Sequence, residues 1–139
     1  MKTAVIYYSY TGKTRALAEK KAHKANADII EIKDKKRRST VEAYVLGSLA
    51  ARRQKKTDIA EAAADFSSYE KIIVAVPLWA GFPAPAFNNI LELLPNGAEI
   101  ELILTSGSGN SGGSKEKSIA LAAAKGIKIV KYQDVKTSD

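Results

Sequence analysis

The chain has 139 residues, a length that suits a single domain over residues 1–139, and its hydrophobic fraction of 45% is typical of a globular protein. It contains no cysteine and one histidine, which excludes disulfides and cysteine chemistry and argues against a histidine-built metal site. The net charge is +7, and much of it lies in two basic clusters: Lys33, Lys35, Lys36, Arg37 and Arg38, and then Arg52, Arg53, Lys55 and Lys56.

The start of the chain shows no signal-peptide pattern, because its short apolar run is followed by no small-residue cleavage site. No apolar stretch approaches the roughly 20 residues that are needed to span a membrane. The sequence therefore predicts a cytoplasmic protein that has no membrane partner. Basic clusters most often form solvated surface, but they can also attract nucleic acid or an acidic protein.

Strand and helix patterns alternate along the chain. Apolar, β-prone runs predict five strands: 3–8, 28–32, 71–76, 100–104 and 127–132. Helical patterns cover 13–26, 39–53, 84–94 and 115–125, with a looser one over 57–69. Pro77 is expected to end the third strand, residues 105–114 to form a loop, and residues 133–139 a polar tail. This alternation predicts an α/β fold, a doubly wound five-stranded parallel sheet that binds ligands at the carboxyl ends of its strands.

The loop after the first strand offers hydroxyl groups, a glycine and the free N–H groups of a helix start, which together make a phosphate cradle. Its residues are Ser9, Tyr10, Thr11, Gly12, Lys13 and Thr14. The last three also match the end of a Walker A motif. That motif needs a glycine where Tyr7 stands, and a longer loop, so a P-loop nucleotidase is not expected.

Two further loops follow the third and fourth strands. In the first of them, Trp79 could stack on a planar ligand, although a tryptophan that only covers the sheet edge is the common alternative. In the second, glycines allow a close backbone approach to a ligand. Residues 107–112 also read GSGNSG, a literal dinucleotide fingerprint with Asp134 about twenty residues further on. Because this match follows the fourth strand of five, and serine- and glycine-rich sequence matches easily by chance, it is weak support for that function.

The chain resembles the flavodoxin family over nearly its whole length. Ser9-x-Thr11-Gly12-x-Thr14 matches the family's phosphate-binding signature [ST]-x-T-G-x-T, and residues 77–81 and 105–109 resemble the family's second and third cofactor loops. Residues 34–38 through Tyr44 and Gly47 are similar to a sub-group of short bacterial members. The resemblance implies a sheet ordered 2-1-3-4-5, with FMN at the switch point between strands one and three.

The same resemblance assigns the cofactor-binding residues by position. It implies that the FMN phosphate is held by Ser9, Tyr10, Thr11, Gly12, Lys13 and Thr14. One side of the isoalloxazine would be lined by Pro77, Leu78, Trp79, Ala80 and Gly81, with Trp79 stacking on it. The other side would be lined by Ser106, Gly107, Ser108 and Gly109. No residue is nominated as catalytic, because the flavin itself carries the redox chemistry.

Three features depart from the family's pattern. The chain is basic, whereas the family's electron carriers are typically acidic, which predicts a less negative reduction potential. The third loop lacks a second stacking aromatic residue, which predicts a more open site. The short tail leaves no room for the family's C-terminal helix, so apolar sheet surface should be exposed. A homodimer that covers this surface is the hypothesis.

The leading interpretation is an FMN-binding electron-transfer protein or a small FMN-dependent NAD(P)H reductase, with electron carriage preferred. Its partner would be a redox protein, and the basic charge favours an acidic one. The alternatives are a flavodoxin-fold binding or scaffold protein without flavin, and a nucleic-acid binder. The last would need surface aromatic residues among the basic clusters, where the sequence offers Tyr44 alone, so nucleic acid is not the expected partner.

Overall fold

The computed structural model describes residues 2–35, 39, 43–57, 59–60 and 65–137. It contains strands β1 (Thr3–Tyr7), β2 (Asp28–Glu31), β3 (Lys71–Trp79), β4 (Phe82–Pro83), β5 (Glu99–Ser106) and β6 (Lys128–Lys136). The α-helices are α1 (Lys13–Ala25), α2 (Ser48–Arg52), α3 (Ala86–Leu93) and α4 (Lys115–Ala124). A π-helical turn, Ala43–Gly47, leads into α2, and a 3₁₀ turn, Phe66–Ser68, precedes β3.

The sheet has the order β2-β1-β3-β5-β6 with all of these neighbours parallel, and β4 pairs antiparallel with the end of β3. The five predicted strands correspond to β1, β2, β3, β5 and β6. The predicted order 2-1-3-4-5 and the doubly wound α/β class are therefore confirmed. The sheet order reverses between β1 and β3, which is where such folds bind their ligands.

A hydrophobic core lies on each face of the sheet, because the central strands are apolar on both sides. The larger core joins the strands to α3 and α4, and it includes Ile6, Val74, Leu102, Phe87, Ile90 and Ala122. On the opposite face, Val5 and Ile73 contact Ala18 and Ala22 of α1. These small alanines let α1 approach the sheet closely, and this fixes the position of its N-terminus beside the end of β1.

The prediction that Pro77 ends the third strand is wrong. β3 continues through Pro77, which is in register with Thr105 of β5, and it ends at Trp79. The pairing of β1 with β3 ends earlier, at Ala75, so no β1 partner needs the N–H that proline lacks. The carbonyl of Pro77 accepts a hydrogen bond from the N–H of Ala84 at 2.9 Å, as the chain returns after β4.

The predicted loop over 105–114 and the predicted tail over 133–139 are both too long. β5 runs to Ser106, and β6 pairs with it as far as Lys136, with a register irregularity at Ile100 and Glu101. A strand at the edge of a sheet needs apolar side chains on one face only, so the polar composition of residues 133–136 did not prevent pairing. Within the described residues, no helix follows β6.

The helical patterns predicted over 39–53 and 57–69 are confirmed only in part. Residues 36–38 and 40–42 lie outside the described residues, and the described part of the first segment contains the π turn Ala43–Gly47 and α2. Residues 58 and 61–64 also lie outside them. The described remainder of the second segment is not a continuous helix, because Ile59 forms an antiparallel bridge with Asp34 and a 3₁₀ turn follows later.

The expected exposed apolar sheet surface is small among the described residues and lies at the outer strands, where Ile29, in register with Val5, is 43% exposed and Val130 of β6 is 51% exposed. Val5, Ile73 and Ile103 on the face beside α1 are buried. Towards β6 the face becomes polar, because Lys71 forms an ion pair with Glu101 at 3.3 Å and β6 places Lys131 in register with Glu101. The homodimer stays a hypothesis, and the exposed apolar residues of the outer strands, Ile29 and Val130, are separate from each other.

Candidate functional site

Three loops meet at the carboxyl edge of the sheet and enclose a cavity of about 390 Å³. They follow β1, β3 and β5, as the topology requires. The described lining residues are Tyr10, Thr11, Lys13, Thr14, Ser48, Pro77, Leu78, Trp79, Ala80, Thr105, Ser106, Gly107 and Thr137. Lys13 is the one charged side chain in this described set.

The loop between β1 and α1 is shaped to receive an anion. The hydroxyl of Ser9 accepts a hydrogen bond from the N–H of Gly12 at 3.0 Å and closes the turn. Gly12 is the N-cap of α1 and has no side chain to cap the N–H groups of the first helical turn, and that turn contains no acidic residue. These N–H groups and the positive end of the helix dipole therefore favour a phosphate.

A buried hydrogen bond connects the start of α1 to the end of β5. The hydroxyl oxygens of Thr14 and Thr105 are 2.7 Å apart, and either can be the donor. Both residues are buried and both line the cavity. The bond holds the phosphate loop against the strand that carries the third loop.

A tight hairpin positions Trp79. Leu78 pairs with Pro83 and Trp79 with Phe82, which leaves Ala80 and Gly81 as the two turn residues. Both have positive φ angles, 52° and 86°, as a type I′ hairpin turn requires. Glycine adopts this conformation without steric cost, whereas the alanine is strained by about 1–2 kcal/mol.

The indole of Trp79 is held from several directions. Tyr8 and Tyr10 meet it edge-on, at centroid distances of 5.9 and 6.1 Å. Gly47 lies so close that a Cβ atom there would be 2.5 Å from the indole Cζ3. The segment that contains α2, residues 43–52, therefore lies against the tryptophan. Trp79 remains half-buried and lines the cavity.

β6 anchors the third loop. The carboxylate of Asp134 accepts a hydrogen bond from the N–H of Ser111 at 3.1 Å, and the hydroxyls of Ser111 and Tyr132 are hydrogen-bonded. Burial raises the pKa of the Tyr132 phenol, although the bond to Ser111 opposes this shift. Nearer the cavity, the hydroxyl of Ser106 accepts from the N–H of Gly109 at 2.9 Å.

The structure brings most of the predicted cofactor residues to this one cavity: Tyr10, Thr11, Lys13, Thr14, Pro77, Leu78, Trp79, Ala80, Ser106 and Gly107. Ser9 and Gly12 line a neighbouring cavity of about 370 Å³ on the other side of the same loop. Gly81 lies in the hairpin turn, while Ser108 and Gly109 lie further along the third loop. That all of these residues bind a cofactor stays a prediction.

Ser48, Thr105 and Thr137 line the cavity but were not predicted. Thr105 could have been found, because it directly follows the apolar run of the fourth predicted strand. Thr137 reaches the cavity because β6 extends beside β5, where the N–H of Thr137 donates to the carbonyl of Ser106 at 2.8 Å. Ser48 arrives through the packing of α2, for which the sequence carries no local signal.

The cavity fits FMN at both of its ends. One end offers uncapped N–H groups and the hydroxyl of Thr11 for a phosphate. The other offers the indole of Trp79 and the apolar side chains of Pro77 and Leu78 for a planar ring. Its volume lies in the range of about 300–1,000 Å³ that is usual for cofactor pockets.

Two other kinds of feature are absent from the part of the chain that the structure describes. No helix there is long and apolar enough to cross a bilayer. The same residues contain no group of three histidine, cysteine, aspartate or glutamate side chains that could hold a metal ion.

The sequence matches the model of the Flavodoxin family over residues 2–133. The chain belongs to the flavodoxin family. No curated protein matches it significantly.

Three solved structures of bacterial proteins share the fold of this flavodoxin-family chain. A flavoprotein from Lactobacillus acidophilus in complex with FMN matches with a TM-score of 0.76 and 23% identity, covering 94% of this chain and 91% of that one. A candidate flavoprotein from Bacteroides uniformis matches with a TM-score of 0.84 and 20% identity, covering 99% of this chain and 92% of that one. A candidate flavoprotein from Bacteroides eggerthii matches with a TM-score of 0.80 and 17% identity, covering 99% of this chain and 90% of that one.

Proposed function

We propose that the protein binds FMN in the cavity at the carboxyl edge of the sheet and serves as an electron carrier. The phosphate would bind to the loop between β1 and α1, and the isoalloxazine would lie between the loops after β3 and β5. The supporting observation is that the residues at an uncapped helix start and an indole line one cavity. The FMN complex of the Lactobacillus acidophilus flavoprotein, which has a similar fold, agrees with this proposal.

The chemistry of the lining favours redox chemistry carried by a flavin over acid–base catalysis by side chains. The described lining residues include no carboxylate and no imidazole, so they offer no ordinary general base at the ring. When bound, FMN supplies the redox chemistry. The chain's own residues would anchor the phosphate, orient the ring and shield part of it from water.

Replacement of Thr11 by valine tests this placement. Thr11→Val removes a hydroxyl that lies at the phosphate end of the cavity, and hydrogen bonds to charged groups contribute about 1.5–3 kcal/mol. We therefore expect FMN affinity to fall by at least about tenfold. The measurement is a titration of the apo-protein with FMN, followed by quenching of flavin and Trp79 fluorescence.

Riboflavin and a second threonine provide the controls. Riboflavin lacks the phosphate, so its affinity should not change in Thr11→Val. Thr57→Val makes the same replacement outside the cavity lining and should leave FMN affinity unchanged. If the wild-type protein shows no saturable quenching, the chain does not carry flavin, and a flavodoxin-fold scaffold protein becomes the better interpretation.

A further inference from the structure

Three apolar side chains stand together on the surface of the segment that contains α2. Val45, Leu46 and Leu49 are 55%, 55% and 44% exposed. The other large hydrophobic residues exposed among the described residues lie on separate elements: Ile29, Leu93 and Val130. A contiguous exposed apolar group marks an interaction site more often than scattered residues do.

This apolar group lies on the outer face of the segment 43–52, whose inner face contacts the candidate cofactor cavity. Between its members, Ser48 lines the cavity and Gly47 abuts the indole of Trp79. A protein that contacts Leu46 and Leu49 would therefore be separated from Trp79 by one helical segment, about 10 Å across. Short distances between redox centres are what an electron carrier needs from its docking surface.

The positive charge of the chain is concentrated in the same part of the sequence. Residues 33–57 contain nine lysines and arginines and two acidic residues, whereas the rest of the chain contains thirteen of each. Residues 45–57 contain no acidic residue, and Arg52, Arg53 and Lys55 are exposed there. Lys117 adds a further cation beside this segment, because the side chain of Gln54 donates a hydrogen bond to the Lys117 carbonyl. The ammonium group of Lys117 lies above the ring of Phe82, at 5.6 Å from its centroid.

We propose that this surface docks an acidic electron-carrier protein. The basic rim is the surface formed by the apolar side chains of Val45, Leu46 and Leu49, at its centre, and by the charged side chains of Arg52, Arg53 and Lys55, at its border. It has an apolar centre with a charged border, which is the usual anatomy of a protein–protein interface. Naming an electron carrier rests on the proposed function, but binding to the basic rim can be measured with or without FMN.

Other occupants fit the surface less well. A second copy of the chain would bring the same positive charge to the interface and be repelled. Single-stranded nucleic acid binds through aromatic stacking platforms, whereas the apolar centre here is aliphatic. The five residues of α2 are too short for a helix that lies in a membrane surface.

The test measures the affinity of the protein for two small redox proteins by isothermal titration calorimetry. The first is an acidic plant-type [2Fe–2S] ferredoxin and the second is a basic cytochrome c. We expect measurable binding to the ferredoxin that weakens by about tenfold between about 20 and 200 mM NaCl, and no comparable binding to the cytochrome. Each measurement is made on apo-protein and after addition of FMN, so loss of flavin binding and loss of docking are separate outcomes.

Two pairs of variants locate the surface. Arg52→Glu/Arg53→Glu should weaken ferredoxin binding by about tenfold or more, and Leu46→Ser/Leu49→Ser by about fivefold with an unchanged salt dependence. The matched controls are Lys20→Glu/Lys24→Glu on α1 and Leu93→Ser on α3, which should change affinity less than twofold. All variants should keep the melting temperature of the wild type and should still bind FMN.

Several results would overturn the proposal. These are absence of ferredoxin binding, equal binding of the cytochrome, or equal effects of the rim variants and their controls. A wild-type dimer that Leu46→Ser/Leu49→Ser converts to a monomer would assign the surface to a second copy instead. Nucleic-acid binding that Arg52→Glu/Arg53→Glu abolishes, without ferredoxin binding, would make it a nucleic-acid site.

Discussion

The contact between Gly47 and Trp79 decides whether the α2 segment can lie beside the cavity. Gly47→Ala would place a methyl group 2.5 Å from the indole, so the segment or the tryptophan must move. We expect a loss of about 1–3 kcal/mol in unfolding free energy, the usual cost of overpacking, and weaker FMN binding. Thermal unfolding and the emission maximum of Trp79 measure these effects.

Gly113→Ala is the matched control, since no atom lies within 4 Å of the Cβ that it would add. It should behave like the wild type in both measurements. Equal behaviour of the two alanine variants would show that the α2 segment is not held against the indole.

At this scale, local sequence predicted the cavity-lining residues between β1 and α1 better than those that arrive from distant parts of the chain. Thr11, Gly12 and Thr14 lie in one short motif whose geometry depends on the strand before it and the helix after it. Ser48 reaches the cavity, and Gly47 reaches Trp79, through packing between distant parts of the chain, which no pattern of neighbouring residues encodes. Trp79 was predicted as a stacking residue, but the contact that holds it was not.

Among the elements, β6 forms one edge of the sheet, and its side chains also anchor the third loop. Tyr132→Phe would remove the hydroxyl that bonds to Ser111, with an expected loss of about 1 kcal/mol in unfolding free energy near neutral pH. Because the folded state raises the pKa of Tyr132, this group's contribution to stability is complete below the unfolded pKa of about 10. It is lost as the pH rises through the folded value.

Unfolding by denaturant at several pH values between about 8 and 11 checks this prediction. The alkaline decline in stability should be smaller in Tyr132→Phe than in the wild type. Tyr69, whose pKa is also raised because it donates to Asp28, contributes equally to both proteins. An identical decline in the two proteins would contradict the role assigned to Tyr132.

The order and type of the elements were predictable, but the ends of several strands were not. Apolar runs identified all five parallel strands, because a buried parallel strand must be apolar on both faces. Pro77 and residues 133–136 look unfavourable for strands when each is considered alone. Both lie in strands because a neighbour provides the pairing, and that neighbour is distant in the sequence.

For the whole molecule, the uneven charge bears on the reduction potential of bound FMN. A positive field stabilises the anionic reduced flavin, so the potential should be less negative than in an acidic relative. One cation at about 10 Å in water contributes on the order of 20 mV. Higher salt screens this field, so the potential should become more negative as ionic strength increases.

Spectroelectrochemical titration at low and high salt measures this shift, with free FMN in the same buffers as the reference. Arg52→Glu/Arg53→Glu should shift the potential in the same direction as salt does. A potential that is independent of salt, or as low as in acidic relatives, would contradict the prediction.

The hydroxyl pair of Thr14 and Thr105 has a consequence for the evolution of the site. Their hydrogen bond joins the start of α1 to the end of β5, at positions that are 91 residues apart in sequence. If one of these threonines were replaced by an apolar residue, the other would keep a buried hydroxyl without its partner, which costs about 1–3 kcal/mol. The two positions should therefore change together among relatives, so that the phosphate end and the ring end of the site are inherited as one unit.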